Sequence, residues 1–251
     1  MINFENKNVL VTGGSRGIGK ACVELFLEAG ANVAFTFQNA KLEAPKIIDG
    51  YCGRSLLKNY KLDLSNTDEI QRVIKSVLSD FGRIDVIVNN AGIWKEAAID
   101  EMSIDQWNET MNINLTSAYL ITKLFVPGMK KNNFGRIINI ASTAGQRGEA
   151  FHSHYAASKG GMISLTKSLA AELGKYNITV NCVAPGWVIT DMTTDSLAEP
   201  ETFKKVLGDI PLNKIAQPEE IAGPVLFLAS NLASHITGEV LNVNGGSVLC
   251  G

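Results

Sequence analysis

Across 251 residues the chain carries 45% hydrophobic and 19% charged residues, enough for a substantial core in one large domain or two small ones. A formal net charge of −2 gives no overall basic field for nucleic acid or an anionic membrane, so neither is expected as a partner. Four scattered cysteines (Cys22, Cys52, Cys182, Cys250) lack the spacing of a zinc site or a disulfide framework. No apolar run is long enough for a signal peptide or a membrane span, and the expectation is a cytoplasmic protein with no metal site.

Asn8 to Thr12 is a short apolar, β-branched run that reads as a buried strand. It enters Gly13-Gly14-Ser15-Arg16-Gly17-Ile18-Gly19 directly, and Lys20 to Ala29 then has helical periodicity. Glycines at such a turn let the backbone approach a pyrophosphate, and the helix N-terminus offers free N–H groups. The spacing is Gly-x-x-x-Gly-x-Gly rather than Gly-x-Gly-x-x-Gly, and a tight turn without a ligand uses the same residues. A second strand, Asn32 to Phe37, ends in Thr36-Phe37-Gln38-Asn39 with no acidic residue to bind a ribose 2′-hydroxyl. Arg16 supplies a cation where a 2′-phosphate could be held, so NADP(H) is favoured over NAD(H).

Ser55 to Leu62 reads as the third strand and is followed by Asp63-Leu64. Ser65 to Phe81 is an amphipathic helix opened by Ser65 or Asn66 as cap. Ile84 to Val88 is the fourth strand and ends in Asn89-Asn90-Ala91-Gly92, a turn fit to carry a flat ligand. Strands alternating with helices specify a parallel, doubly wound sheet. Ser103 to Pro127 is a long helical pattern interrupted by Asn112-Ile113-Asn114-Leu115. Two asparagines there predict back-bonding, a kink, or an Asn114 that points inward and holds a water. Gly135 to Ile140 is the fifth strand, Tyr155 to Tyr176 a helix, and Ile178 to Val183 the sixth strand before the turn Ala184-Pro185-Gly186. Trp187 to Pro211 is irregular, either a mobile lid over the substrate or a docked pair of surface helices. Pro218 to Ala229 is a helix and Val240 to Val243 the last strand. No repeat or linker divides the chain, so a single domain over 1–251 with a lid at about 187–211 is expected.

Ligands of an open α/β sheet sit outside the C-terminal strand ends, which gathers the glycine loop, Asn89 to Gly92, Ser142 and Pro185-Gly186 on one rim. There Tyr155 and Lys159 share a helix face one turn apart. An ammonium beside a phenol lowers a pKa that is otherwise about 10, which prepares the tyrosine for proton transfer. Such pairs also occur on ordinary solvated helices.

In order, Thr12-Gly13-x-x-x-Gly17-Ile18-Gly19, Asp63-Leu64, Asn89-Asn90-Ala91-Gly92, Asn114, Ser142, Tyr155-x-x-x-Lys159 and Pro185-Gly186 with Thr190 resemble the short-chain dehydrogenase/reductase family over nearly the whole chain. Within it, the glycine loop and Val243-Asn244-Gly245-Gly246 look most like 3-oxoacyl-[acyl-carrier-protein] reductases, though sugar and polyol dehydrogenases share some of these pieces. The resemblance implies a Rossmann-type α/β fold, a doubly wound sheet of seven mostly parallel strands with helices on both faces, in a homotetramer. It implies catalysis by Asn114, Ser142, Tyr155 and Lys159. Tyr155 would be the general acid, Lys159 its tuner and a ribose ligand, Ser142 the group that orients the carbonyl, and Asn114 the anchor of a relay water. It implies cofactor contacts from Gly13, Ser15, Arg16, Gly17, Ile18, Gly19, Asp63, Leu64, Asn90, Ala91, Gly92, Tyr155, Lys159, Pro185, Gly186, Val188 and Thr190. An acidic acyl carrier protein as partner calls for a basic patch, with Lys130, Lys131, Arg136 and Lys175 as candidates. Trp94, Trp187, Gln146, Arg147, His152 and His154 depart from a simple fatty-acid site. They point to an alternative, a small free substrate such as a sugar, polyol or secondary-metabolite ketone. A non-catalytic nucleotide-binding protein is a third reading.

Overall fold

The structure, a computed structural model, describes residues 2–39 and 55–249; Cys52 and Cys250 lie outside the described residues. Seven strands are β1 (Asn8–Val11), β2 (Asn32–Phe37), β3 (Leu57–Lys61), β4 (Val86–Asn89), β5 (Gly135–Ile140), β6 (Ile178–Pro185) and β7 (Val240–Val243). They form one sheet in the order β3-β2-β1-β4-β5-β6-β7, with every neighbouring pair parallel. The strand order reverses between β1 and β4, and a crevice opens beyond their C-terminal ends at such a reversal.

Alternation along each strand sends side chains to two cores. Val9 and Val11 of β1 and Val33 and Phe35 of β2 pack with Val23 and Phe26 of α1 (Gly17–Glu28) and with Val225 and Leu228 of α9 (Pro218–Ala229). Leu10, Ala34 and Ile87 face the other side. They meet Ile70 and Ile74 of α2 (Thr67–Phe81), Ile121 and Phe125 of α4 (Ser117–Asn132) and, past the short helix α5 (Ala144–Arg147), Leu173 of α6 (Ser153–Leu173). Asn66 caps α2 by accepting from the Asp68 and Glu69 N–H groups.

The interrupted helical pattern resolves into α3 (Ile104–Met111), a π-helical turn over Asn112–Thr116, and α4. A π turn widens the helix by one residue, a deformation that recurs at functional sites. The Ser117 hydroxyl that follows it donates to the Ile113 carbonyl, whereas the Asn114 side chain bonds outside its own turn. α4 runs past Pro127 to Asn132, because Met129, 1% exposed, packs into the second core and outweighs the missing hydrogen bond. Residues 187–211 contain two short helices, α7 (Thr194–Ala198) and α8 (Pro200–Gly208). Val206, Ile210 and Ile215 form their own small core, with Trp187 and Leu197 packed on it.

The basic-patch expectation is corrected here. Lys130 and Lys131 end α4, Lys175 precedes β6 and Arg136 opens β5, so all four sit at the N-terminal strand ends, away from the crevice. Arg136 is 2% exposed and donates to the Gly135 and Asn177 carbonyls beneath the Phe134 ring. Lys130 pairs with Glu172 and lies over Tyr176.

Candidate active site

A cleft of about 640 Å³ opens along the C-terminal strand ends. One end is the glycine loop. Gly13 has a positive φ of 65°, and a β-carbon on Gly19 would overlap the Gly13 carbonyl, so both positions require glycine. The loop is tied to its neighbours by backbone and side-chain bonds. Gly14 N–H donates to the Thr36 carbonyl, and the Asn90 amide donates to the Thr12 and Gly13 carbonyls at 2.9 and 3.3 Å. The Thr12 hydroxyl oxygen accepts from the Asn90 and Ala91 N–H groups, each at 3.0 Å. Asn90 therefore shapes the loop with its side chain, and Thr12 joins β1 to the β4 turn.

Gly13, Ser15, Arg16, Gly17, Ile18, Gly19, Leu64, Asn90, Ala91 and Gly92 line this part of the cleft, as do Thr36, Phe37, Gln38 and Asn39 from the end of β2. Pro185, Gly186, Val188 and Thr190 line it from the β6 side. Asp63 does not line it: its carboxylate accepts from the Ser65 N–H and hydroxyl at 2.9 and 2.7 Å, closing a turn ahead of α2. Arg16 reaches across to Asp191 at 3.2 Å, with both side chains 66% exposed.

Farther along, Ser142, Tyr155 and Lys159 meet on one wall. Ser142 follows β5, and its oxygen accepts the Ala144 N–H at 3.1 Å and is hydrogen-bonded to Tyr155. Lys159, 3% exposed, donates to the Ile140 carbonyl at 2.7 Å, and its Nζ lies 5.7 Å from the Tyr155 ring centre. A β-carbon on Gly92 would stand 3.3 Å from the Asn114 amide oxygen and 3.5 Å from the Lys159 nitrogen, so a glycine leaves that contact open.

The expected direction of tuning is not what the geometry gives. Burial pushes Tyr155 up to about 12, with the Ser142 hydrogen bond opposing and the Glu149 charge adding to the rise. Burial pulls Lys159 down to about 8. Lys159 bonds to a main-chain carbonyl and lies beside the ring, so desolvation outweighs its charge at the phenol.

Asn114 points inward from the π turn, as its sequence suggests. Its side chain is fully buried and committed within the protein: the amide oxygen accepts the Ile93 N–H at 2.8 Å, and the amide nitrogen donates to the Ile93 carbonyl and the Ser158 hydroxyl at 3.0 and 3.1 Å. It clamps the β4 turn to α6, with one lone pair of the amide oxygen uncommitted and facing the space beside Gly92 and Lys159.

Of the departures noted in the sequence, Trp94, Arg147 and Trp187 line the cleft. Gln146 instead bonds Asn242 at 2.7 Å. His154 is fully buried, and burial lowers its pKa, so the ring is neutral. His152 stacks on Trp94 at 4.4 Å. Glu149 also lines the cleft; nothing in its sequence position marks it.

A family model described as enoyl-(acyl carrier protein) reductase matches residues 13–247. The chain is 42% identical to the 3-oxoacyl-[acyl-carrier-protein] reductase FabG of Vibrio cholerae over 98% of both chains. It is 40% identical to that of Thermotoga maritima over 99% of this chain and 100% of the relative. Among solved structures, a putative gluconate dehydrogenase from Agrobacterium tumefaciens aligns with a TM-score of 0.93 at 29% identity, covering 98% of each chain. A short-chain dehydrogenase/reductase described as glucose/ribitol dehydrogenase from Brucella melitensis aligns at 0.92 and 33%, covering 99% of each.

Proposed function

Because the chain belongs to the short-chain dehydrogenase/reductase family and is an oxidoreductase, we propose that it reduces the ketone of a 3-oxoacyl group on acyl carrier protein to the 3-hydroxyacyl product, with NADPH. The observation that carries this reading is the meeting of Tyr155, Ser142 and Lys159 on one wall of a cleft whose other end is a glycine loop at a helix N-terminus. Identity of 40–42% to 3-oxoacyl carrier-protein reductases over nearly the full length supports the substrate.

The cleft fits a dinucleotide. The glycine loop at the start of α1 offers backbone N–H groups to a pyrophosphate, and Gly92 leaves room beside Lys159. Among the described residues no carboxylate lines the end of β2, and exposed Arg16 supplies the charge that a 2′-phosphate needs. When bound, the nicotinamide supplies the hydride.

The rest of the work falls to the chain. Ser142 donates a hydrogen bond to the substrate oxygen and holds it against Tyr155. Tyr155, a phenol at neutral pH, gives its proton to that oxygen as charge develops. Lys159, still largely an ammonium at neutral pH, stabilises the resulting phenolate and helps return a proton to it. Asn114 keeps the Ile93 backbone and α6 in register. Residues 187–211 act as the lid over the substrate, and the enzyme works as a cytoplasmic homotetramer.

Purified enzyme with NADPH and a short 3-oxoacyl thioester should lose nicotinamide absorbance steadily. A second reading, oxidation or reduction of a free sugar or polyol, is favoured by the gluconate and glucose/ribitol dehydrogenase neighbours. Turnover confined to such substrates would replace the first reading with the second.

A further inference from the structure

Beyond the Ser142–Tyr155 pair the cleft wall is aromatic on two sides and anionic at one edge. The indoles of Trp94 and Trp187 meet edge to face at 5.9 Å and 84°. His152 lies flat on Trp94 at 4.4 Å and 6°, which fixes the indole plane, and its Nδ1 is held at 3.1 Å from the Ala150 carbonyl. Trp187 is anchored from behind by the small core of Val206, Ile210 and Ile215.

Glu149 stands at the edge of this corner. Its carboxylate accepts a single long bond from the Trp94 indole N–H at 3.4 Å, and among the described residues it forms no ion pair. It lines the same cleft as Tyr155, and its charge is felt at the phenol. The loop that carries it is held in place at a conformational cost. Phe151 has a positive φ of 62° and is 60% exposed, and its carbonyl accepts the Ala97 N–H at 2.8 Å. A bulky residue in that conformation is strained, and such strain gathers at ligand clamps.

A plain alkyl chain laid along the two indoles would strip water from the carboxylate and return no donor, which is costly for an ionised group. A chain bearing an O–H or N–H⁺ would cover the indoles with its C–H surface and satisfy the carboxylate. We propose that Trp94, Glu149 and Trp187 form a substrate subsite for a group that carries a hydrogen-bond donor, a hydroxyl or an ammonium, next to the reacting ketone. The subsite rests on the carbonyl-reduction reading above, and narrows it from acyl chains in general to donor-bearing ones.

The test uses three N-acetylcysteamine thioesters: 3-oxobutanoyl, its 4-hydroxy derivative and its 4-ammonio derivative. Binding is read by tryptophan fluorescence quenching in the wild type, Glu149→Gln and Glu149→Leu. A hydrogen bond to a charged group implies that one donor-bearing thioester binds about tenfold or more tighter than the plain one. The arm that wins identifies hydroxyl or ammonium. The advantage should disappear in Glu149→Leu; in Glu149→Gln it should shrink for a hydroxyl and vanish for an ammonium. Equal binding of all three, or an advantage that survives both substitutions, overturns the subsite. NADPH oxidation in the same samples reports separately: no turnover of any thioester sinks the reductase reading, whereas equal turnover and equal binding sink only the subsite.

Discussion

At the scale of single residues, burial and charge act against each other at the catalytic wall. Tyr155 stays protonated over the whole neutral range, and Lys159 is the group that changes charge near it. kcat/KM reports the free enzyme, so for ketone reduction it should be level at lower pH and fall about tenfold per unit as pH rises past about 8, where Lys159 loses its proton. A pH–rate profile checks this, and Lys159→Met should erase the inflection along with most of the activity. Arg16 makes a separate prediction. Its pair with Asp191 is two-thirds exposed on both sides and worth at most about 1 kcal/mol. Arg16→Ala should therefore leave the melting temperature nearly unchanged while it narrows the preference for NADPH over NADH, measured as a ratio of kcat/KM. Tyr155, Lys159 and Ser142 were legible because the rest of the chain puts them on one rim with a glycine loop; the Tyr–Lys spacing alone is common on ordinary helices. The Ile140 carbonyl that holds Lys159 was not, since every residue has a carbonyl and only the fold selects one. Glu149 was hidden for a related reason: a lone acid in a loop carries no pattern.

Among the elements, the strands were the most readable. β2 and β5 fall on the residues that their apolar runs mark, because a strand buried on both faces leaves little choice of boundary, and the partly buried edge strand β7 does so as well. The break at Asn112 to Leu115 was visible as poor helix propensity, but its form as a π turn depends on the contacts of Asn114 with Ile93 and Ser158. Those contacts make Asn114 a clamp between α6 and the β4 turn. Asn114→Ala strands the Ile93 N–H and the Ile93 carbonyl, while the Ser158 hydroxyl keeps its bond to the Tyr155 carbonyl, and an unsatisfied buried group costs about 1–3 kcal/mol. Urea unfolding should show a loss of at least about 2 kcal/mol, with activity lowered in step. The two helices of 187–211 were legible only as the alternative to an irregular lid, and their bounds were not. Each is too short to carry a clear period, and they hold through a private core of three residues.

For the molecule as a whole, the parallel sheet sends every strand end to one rim and every strand start to the other, and this polarity decides what a charge can do. A row of lysines reads as a docking patch in one dimension. Lys130 and Lys131 nonetheless sit on the rim away from the cleft, and Arg136 is inside the protein. Lys130→Glu with Lys131→Glu should thus leave KM for a carrier-bound substrate within about twofold of wild type, as for surface changes remote from a site. Saturation kinetics with the carrier-bound substrate checks it. The doubly wound topology was readable from strand and helix alternation, whereas the side of the sheet each basic residue reaches was not, because that requires following where each helix ends.

The central claim is that Tyr155, held by Ser142 and beside Lys159, donates the proton that completes reduction of a ketone. The most direct measurement is single-turnover reduction of a short 3-oxoacyl thioester by NADPH in Tyr155→Phe, with NADPH binding followed by fluorescence in the same protein. The account predicts NADPH affinity close to wild type and a reduction rate lower by about 10²–10⁴-fold, the usual contribution of a positioned acid. A phenylalanine variant that reduces the thioester at near wild-type rate would contradict it.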